Sequence, residues 1–276
     1  MKTLITGHKG YIGSKLCAHL LDLGHNVTGI DLKDGEDLIS CLPDKDYDYV
    51  FHMAALPSVE YSVRNPSYTF RQNAYATSIL LEWAYNHHVK RVIFSSSAAA
   101  VGNGKGPTSP YGLHKLICEQ ECKLYSDLYK LDTVSLRYYN VFSADQEYSG
   151  SYSTVISAWI EMIKRGLPLK IDGDGEQSRD FINVADIIDA NIFCMNYDKK
   201  FNGEFYDVGT GTTISLNQIK DIINVINNKA EFINTPPRDG DILTSKADIT
   251  KLKNIGWTAK IDPTQSIYDC FNKQGE

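Results

Sequence analysis

An α/β fold built on a doubly wound parallel sheet, with a smaller C-terminal lobe, is what this 276-residue chain predicts. Three observations carry that reading. Short apolar runs alternate with longer amphipathic ones through the first half. A glycine-rich turn follows the first of those runs. After about residue 140 the texture changes to shorter, turn-rich segments.

The apolar runs place strands at residues 2–6, 26–30, 48–53, 90–95 and 132–137. Between most of them lie helix-length segments at 11–23, 66–87 and 111–130. Strands alternating with helices imply right-handed crossovers, which bring the strand ends and their loops to one ligand-binding edge. Further on, the pattern predicts helices over 153–165, 184–196, 215–228 and 263–272, and a strand at 204–208. Gly166-Leu167-Pro168, Asp172-Gly173-Asp174-Gly175 and Pro236-Pro237-Arg238-Asp239-Gly240-Asp241 mark turns between them. No repeat, low-complexity tract or linker interrupts the chain.

The net charge of −6 argues against a nucleic-acid or anionic-membrane surface, though a few local arginines could still hold an anionic ligand. No stretch approaches the ~20 apolar residues that span a bilayer, and the glycine turn begins too early for a signal peptide. A cytoplasmic location is the expectation. The six cysteines are scattered, as free thiols rather than a disulfide framework would be. Cys118, Cys122 and His114 share a helical face, but without a second ligand cluster a buried thiol face is favoured over a metal site.

Gly7-His8-Lys9-Gly10-Tyr11-Ile12-Gly13 is a G-x-x-G-x-x-G turn between a strand and a helix. In that context Gly7 takes the tight turn and Gly10 lets a phosphate approach the backbone. Gly13 lets the helix sit close to the sheet, with a pyrophosphate at the helix N-terminus. The second strand ends at Asp31, where a carboxylate can accept from two ribose hydroxyls and would repel a 2′-phosphate. NAD is therefore favoured over NADP; the alternative is a glycine turn with an unrelated surface aspartate. We expect a Rossmann-type domain over residues 1–140, joined by 183–208. Residues 141–182 and 209–276 would form a substrate-binding lobe.

Tyr111 and Lys115 stand four apart at the start of a helix and so share one face. An ammonium near a phenol favours the phenolate, and a tyrosine tuned this way can take a proton from a sugar hydroxyl and return it. Alone, that spacing is common by chance.

Together, Gly7-x-x-Gly10-x-x-Gly13, Asp31 and Tyr111-x-x-x-Lys115 resemble the extended short-chain dehydrogenase/reductases. More narrowly they resemble the NAD-dependent epimerase/dehydratase family acting on nucleotide sugars, closest to its UDP-glucose and UDP-N-acetylglucosamine 4-epimerases. His52-Met53-Ala54-Ala55, Asn73 to Thr77, Phe94-Ser95-Ser96-Ser97 and Leu136-Arg137-Tyr138-Tyr139-Asn140-Val141 match family segments in the family's order. So do Gly173-Asp174-Gly175 through Arg179-Asp180-Phe181, and Arg238-x-Gly240-Asp241.

The resemblance implies that Ser97 hydrogen-bonds the sugar hydroxyl, Tyr111 is the acid/base and Lys115 binds the nicotinamide ribose. It implies cofactor contacts from Gly7, Gly10, Tyr11, Ile12, Gly13, Asp31, Asp37, Leu38, Met53, Ala54, Ala55, Asn73, Ser95 and Tyr138, with Asp37 near the adenine. Tyr139, Asn140, Arg179, Arg238 and Asp241 would hold the nucleotide sugar, the arginines and Asn140 at its diphosphate and Asp241 at a ribose. Forked guanidinium contacts suit a diphosphate. Taken singly, Arg179 reads as a solvated surface residue, Asn140 as a strand-end turn residue and Ser97 as a turn cap. His52 and His114 read as structural.

This chain departs from the family pattern in a shorter span from Ser97 to Tyr111, a trimmed region after Asp31, His114 in place of serine and Val101 in place of tyrosine. Dehydratases and decarboxylases of the family carry an acid just after the catalytic Ser/Thr, whereas Ala98-Ala99-Ala100 follows Ser97 here. The resemblance thus implies 4-epimerisation through a transient 4-keto sugar. Ser245, four residues after Asp241, stands where similar epimerases gate the space near sugar C2, and its small side chain leaves room for an N-acetyl group. The expected substrates are UDP-GlcNAc/UDP-GalNAc, with UDP-Glc/UDP-Gal as a further pair. A nucleotide-sugar dehydratase or reductase, or a non-catalytic NAD-binding scaffold, is the alternative. Relatives pair through two helices per subunit, which here are 66–87 and 111–130, so a homodimer is expected.

Overall fold

The computed structural model describes residues 1–102, 104–146, 148, 154–228, 230–237 and 243–273. In chain order, β1 (Lys2–Thr6), α1 (Tyr11–Asp22), β2 (Asn26–Ile30) and β3 (Tyr49–His52) come first. A helical run follows, made of α2 (Val59–Arg64), α3 (Pro66–Phe70), a π-helical turn at Arg71–Tyr75 and α4 (Ala76–Asn86). Then come β4 (Arg91–Ser97), α5 (Pro110–Tyr129), β5 (Thr133–Tyr138), β6 (Asn140–Phe142), α6 (Val155–Lys164), β7 (Leu169–Asp172), β8 (Ser178–Arg179) and β9 (Phe181–Asn183). The rest is α7 (Val184–Asn196), β10 (Phe205–Val208), β11 (Ile214–Ser215), α8 (Leu216–Ile226), β12 (Phe232–Thr235), β13 (Thr244–Ser245), α9 (Thr250–Asn254) and α10 (Pro263–Asn272).

Two compact units emerge: residues 1–138 with 187–207, and residues 139–186 with 208–276. The first is organised by a six-stranded sheet of order β10-β5-β4-β3-β1-β2. β1 pairs in parallel with β2 and with β3, β3 with β4, and β4 with β5. Strand order reverses at β1, so the C-terminal ends of β1 and β3 flank a crevice of the kind that binds ligands in doubly wound sheets. β4 and β5 are buried along nearly their whole length, as expected for central strands covered on both faces. Leu80, Leu81 and Ala84 of α4 and Cys118 and Cys122 of α5 pack on Val50, Val92 and Phe94 of the sheet.

The helical run 59–86 is not the single helix expected over 66–87. Pro66 cannot continue a hydrogen-bond ladder and opens a new helix, with Asn65 as its cap residue. The π turn then inserts one wide loop of backbone and leaves Gln72, Asn73 and Ala74 buried.

The second unit is a set of short sheets over its own core. β6 pairs in parallel with β9, and β7 with β12. β8 lies between β11 and β13. Phe142, Trp159, Phe181, Ile219, Ile267 and Phe271 form the core that holds these strands to α6, α8 and α10. α8 starts from a capping box in which Ser215 accepts from the Gln218 backbone and Gln218 accepts in return. Among the described residues no helix is long and apolar enough to cross a membrane.

Candidate active site

Gly7 has φ +73°, and a Cβ there would lie 2.7 Å from the Ala54 nitrogen. A Cβ on Gly13 would lie 2.1 Å from the Gly7 carbonyl oxygen. The turn is therefore pressed against the segment after β3 on one side and against α1 on the other, with no room for side chains. Gly7 N–H donates to Ile30 O (2.7 Å), and Gly10 caps α1 with extended backbone and no capping side chain. Tyr11 and Ile12 form the first turn, which carries no acidic residue. This cradle fits a pyrophosphate, as a helix N-terminus lined by backbone N–H groups should.

Asp31 holds the cradle in place. Its carboxylate accepts from Lys9 N–H and Lys33 N–H, each at 2.9 Å, joining the glycine turn to the end of β2. Asp37 accepts from Ile39 N–H (3.0 Å), Arg71 (3.3 Å) and Gln72 (3.4 Å). Burial pushes the Asp37 carboxyl up, but these hydrogen bonds and the Arg71 charge outweigh it and the net shift is downward. The Leu38 side chain is turned into the core.

His52 is the centre of a buried wire. Ala54 N–H donates to Thr6 Oγ1 (3.3 Å), which lies 2.6 Å from His52 Nδ1, and His52 Nε2 lies 2.8 Å from Thr77 Oγ1. Thr77 gives its one proton to Asn73 O (2.6 Å), so it must accept from Nε2–H, and Nδ1 must accept from Thr6. That fixes one neutral tautomer. Burial, helped by the Lys115 charge, pulls the imidazole down to about 3. Asn73, carried inward by the π turn, accepts from Leu56 N–H (2.7 Å) and donates to Leu56 O (3.2 Å). The segment Met53–Leu56, which includes Ala55, is thus held from both ends, and Met53 N–H donates to Thr6 O (3.0 Å).

Helix α5 presents Tyr111, Lys115 and Glu119 on one buried face. Its start is well satisfied. Ser109 accepts from Gly112 N–H (3.1 Å), Pro110 has no N–H to satisfy, and Tyr111 N–H donates to the buried Ser62 hydroxyl (3.1 Å). Lys115 donates to Ser95 O (2.6 Å), and its nitrogen stands 4.7 Å from the Phe94 ring centre and 5.9 Å from that of Tyr111. Burial pulls the Lys115 ammonium down to about 8.

The three serines ending β4 face different partners. Ser95 offers its carbonyl to Lys115. Ser96 donates to Glu119. Ser97 accepts from Ala99 N–H (3.2 Å) and caps the 3-10 turn Ala98–Ala100. Glu119 also takes a two-pronged contact from Arg137 of β5, at 2.8 and 2.6 Å. The ring of Tyr138 is buried, with its hydroxyl bonded to Asn191 (2.8 Å) and 3.9 Å from Met53 sulfur. Burial pushes that phenol up. Cys118 is buried too, its thiol pushed up to about 11. Among the described residues no cluster of three or more His, Cys, Asp or Glu is placed to hold a metal.

In the second unit, Tyr139 is buried, and Asn140 donates to Asp180 O through its backbone (3.0 Å) and its side chain (3.1 Å). Arg179 and Ser245 are register partners on the parallel strands β8 and β13, so their side chains leave the sheet on the same face. Arg238 and Asp241 lie outside the described residues. Sequence reasoning missed Asp180. Fully buried, its carboxylate gathers Thr210 N–H (2.8 Å), Thr210 Oγ1 (2.9 Å), Gly211 N–H (2.9 Å) and Ala247 N–H (3.2 Å). This knot fixes the strands that carry Arg179 and Ser245. The signal available was an acid beside Arg179, directly before the apolar pair Phe181-Ile182.

A parallel sheet with a side-chain-free phosphate cradle at its reversal point, and an acid at the end of β2, defines a dinucleotide-binding α/β enzyme. The model of the NAD dependent epimerase/dehydratase family matches residues 3–209. The chain belongs to that family. It is 33% identical to a putative UDP-glucose 4-epimerase of Methanocaldococcus jannaschii, over 98% of this chain and 97% of that one. It is similar to the solved UDP-N-acetylglucosamine 4-epimerase of Methanobrevibacter ruminantium, in complex with UDP-N-acetylmuramic acid. That likeness has TM-score 0.89 and 33% identity, over 99% of this chain and 98% of that one. It is also similar to the UDP-glucuronic acid 4-epimerase of Bacillus cereus with UDP-glucuronic acid and NAD, at TM-score 0.87 and 27% identity over the whole of both chains. The protein is an NAD-dependent enzyme of the epimerase/dehydratase family.

Proposed function

We propose that this enzyme interconverts UDP-GlcNAc and UDP-GalNAc, and accepts UDP-Glc and UDP-Gal as a second pair. The observation that carries the reading is the face of α5. Tyr111 and Lys115 stand over the serine-lined end of β4, and the turn that follows is Ala98–Ala100, with no carboxylate to assist elimination. Tyr111 takes the proton from the sugar 4-hydroxyl and later returns it, while Ser97 holds that oxygen. Lys115 keeps a positive charge near the phenol and so favours the phenolate.

NAD fits the cradle of Gly7, Gly10, Tyr11, Ile12 and Gly13, with Asp31 for the adenosine ribose and Lys115 for the nicotinamide ribose. When bound, NAD would supply the hydride-transfer chemistry, with oxidation and re-reduction balanced over one cycle. Met53, Ala54, Ala55, Asn73, Ser95 and Tyr138 shape the wall for it, and Asp37 with the Leu38 backbone borders the adenine. In the second unit, Asn140, Arg179 and Arg238 bind the diphosphate, Asp241 a ribose hydroxyl, and Tyr139 and Ser245 the sugar end. The shared sheet face of Arg179 and Ser245 supports placing Ser245 against the same ligand. Residues 1–140 with 183–208 act as the NAD domain, and 141–182 with 209–276 as the substrate lobe.

Two further parts of the reading rest on the surface and the thiols. Val63, Phe70, Leu113, Leu124, Leu128 and Tyr129 are exposed on α2, α3 and α5, an apolar face suited to a homodimer. Six unpaired cysteines suit the reducing cytoplasm.

The test is incubation of purified protein with UDP-GlcNAc, UDP-Glc and UDP-glucuronic acid, without added cofactor, with products resolved by NMR. Conversion of UDP-GlcNAc to UDP-GalNAc supports the proposal. Turnover of UDP-glucuronic acid alone, accumulation of NADH or a stable keto sugar, or unchanged substrates would each replace it.

A further inference from the structure

Gly112 lies in the first turn of α5, one residue after Tyr111, with ordinary helical backbone rather than a left-handed φ. Glycine weakens a helix, and alanine is the better helix former. Conformation therefore gives no reason for glycine here. Space does. A Cβ at position 112 would lie 2.4 Å from Ala99 O, 3.1 Å from the Ala99 carbonyl carbon and 3.1 Å from Pro107 Cβ. The nearest obstacle is backbone, not the end of a flexible side chain.

That backbone belongs to the 3-10 turn which Ser97 caps through Ala99 N–H. The peptide that Ser97 holds at its nitrogen is thus followed directly by the carbonyl that rests on Gly112. Neither side can retreat cheaply. The loop beyond the turn is closed by a bridge between Gly102 and Gly106, where a Cβ on Gly102 would lie 2.1 Å from Gly106 O. Helix α5 is anchored further along by Lys115 on Ser95 O and by Glu119 on Arg137. A displacement forced at position 112 must fall on the first helical turn and on the Ala98–Ala100 turn, which carry Tyr111 and adjoin Ser97.

We infer that Gly112 is a positioning residue that sets the spacing between the Ser97 and Tyr111 hydroxyls, by letting the first turn of α5 touch the backbone after Ser97. This rests on the reading that those two hydroxyls handle the sugar proton. A displacement near 1 Å can cost about a hundredfold in rate without loss of binding.

The test is a double-mutant cycle on the NAD-bound enzyme with UDP-GlcNAc. Gly112→Ala should lower kcat at least tenfold, with KM and NAD content within about threefold of wild type. In a Ser97→Ala background the same change should cost less than about twofold more, because the spacing it disturbs no longer matters. A glycine inserted after Gly104, where the surroundings are open, should leave wild-type activity unchanged and restore most of the rate to Gly112→Ala by slackening the loop. Full activity of Gly112→Ala, or an equal loss with and without Ser97, overturns the inference. If Gly112→Ala does not fold, the inserted-glycine version decides: restored folding and rate support it, and continued failure overturns it. Wild-type activity of Ser97→Ala would instead remove the reading of Ser97 itself.

Discussion

Lys115 directs its ammonium at the carbonyl oxygen of Ser95, 2.6 Å away, in a site closed to solvent. Burial holds this lysine near 8 rather than at the ordinary 10.5. Below about pH 8 folded and unfolded chains both carry the charge, and the folded state bears its desolvation cost. Between about 8 and 10.5 the unfolded chain keeps the proton that the folded one has released, so stability rises with pH. Urea unfolding of cofactor-free protein should show a gain of roughly 3 kcal/mol across that window. Lys115→Met should flatten it and, if the lysine tunes Tyr111, lower turnover by about 10²–10⁴.

His52 works in the opposite pH range. Its folded value near 3 lies below the ordinary 6.5, so the stability it contributes is fully present above about pH 6.5. That contribution is lost as pH falls toward 3, because the unfolded chain takes up a proton that the Thr6–His52–Thr77 wire excludes. His52→Phe should cost about 1–3 kcal/mol at pH 7, by removing the imidazole nitrogen that accepts the Thr6 hydroxyl proton. It should also shallow the acid limb of a stability–pH profile measured by urea unfolding. An unchanged acid limb would move the acid sensitivity to other groups.

Glu119 and Arg137 are each about nine-tenths buried and joined by two hydrogen bonds. Removing Arg137 strips the buried Glu119 of its guanidinium partner, and removing Glu119 leaves Arg137 with the more distant Asp207, at 3.8 Å. Glu119→Leu or Arg137→Leu alone should therefore lose about 3–5 kcal/mol in urea unfolding. The double variant should lose clearly less than the sum. Additive losses would mean that the pair acts through separate contacts, such as Ser96 with Glu119.

Ser245 stands beside Arg179 on one sheet face. If it borders sugar C2, Ser245→Tyr should lower kcat/KM for UDP-GlcNAc at least about tenfold relative to UDP-Glc, by filling the space an N-acetyl group needs. Comparable rates on both pairs, before and after the change, would remove that residue from the specificity argument.

The sheet strands were legible within a residue or two, because each is a short apolar run bounded by turn residues. The expected 90–95 is Arg91–Ser97, and 132–137 is Thr133–Tyr138. Helix α5 and the glycine turn were equally plain. The helical run before β4 was not. Periodicity gave one helix over 66–87 and missed Val59–Arg64, and nothing local announces the π turn that brings Asn73 to Leu56. The short strands of the second unit were also missed, since two to four residues are too few to show a period. The predicted start at residue 153 lies outside the described residues, as do Arg238 and Asp241.

By itself the sequence determined the parallel α/β fold, the glycine cradle and the shared face of Tyr111 and Lys115. Each of these depends on spacing within one or two adjacent elements. Tertiary structure decided what holds them. Glu119 meets Arg137 from 18 positions away, and Thr6 meets His52 from 46. Gly112 meets the Ala99 carbonyl only because a loop folds back on the helix it precedes. Such contacts depend on where separate elements come to rest. Once they are buried, each polar group must find a partner or carry its full desolvation cost, and that requirement selects the arrangement.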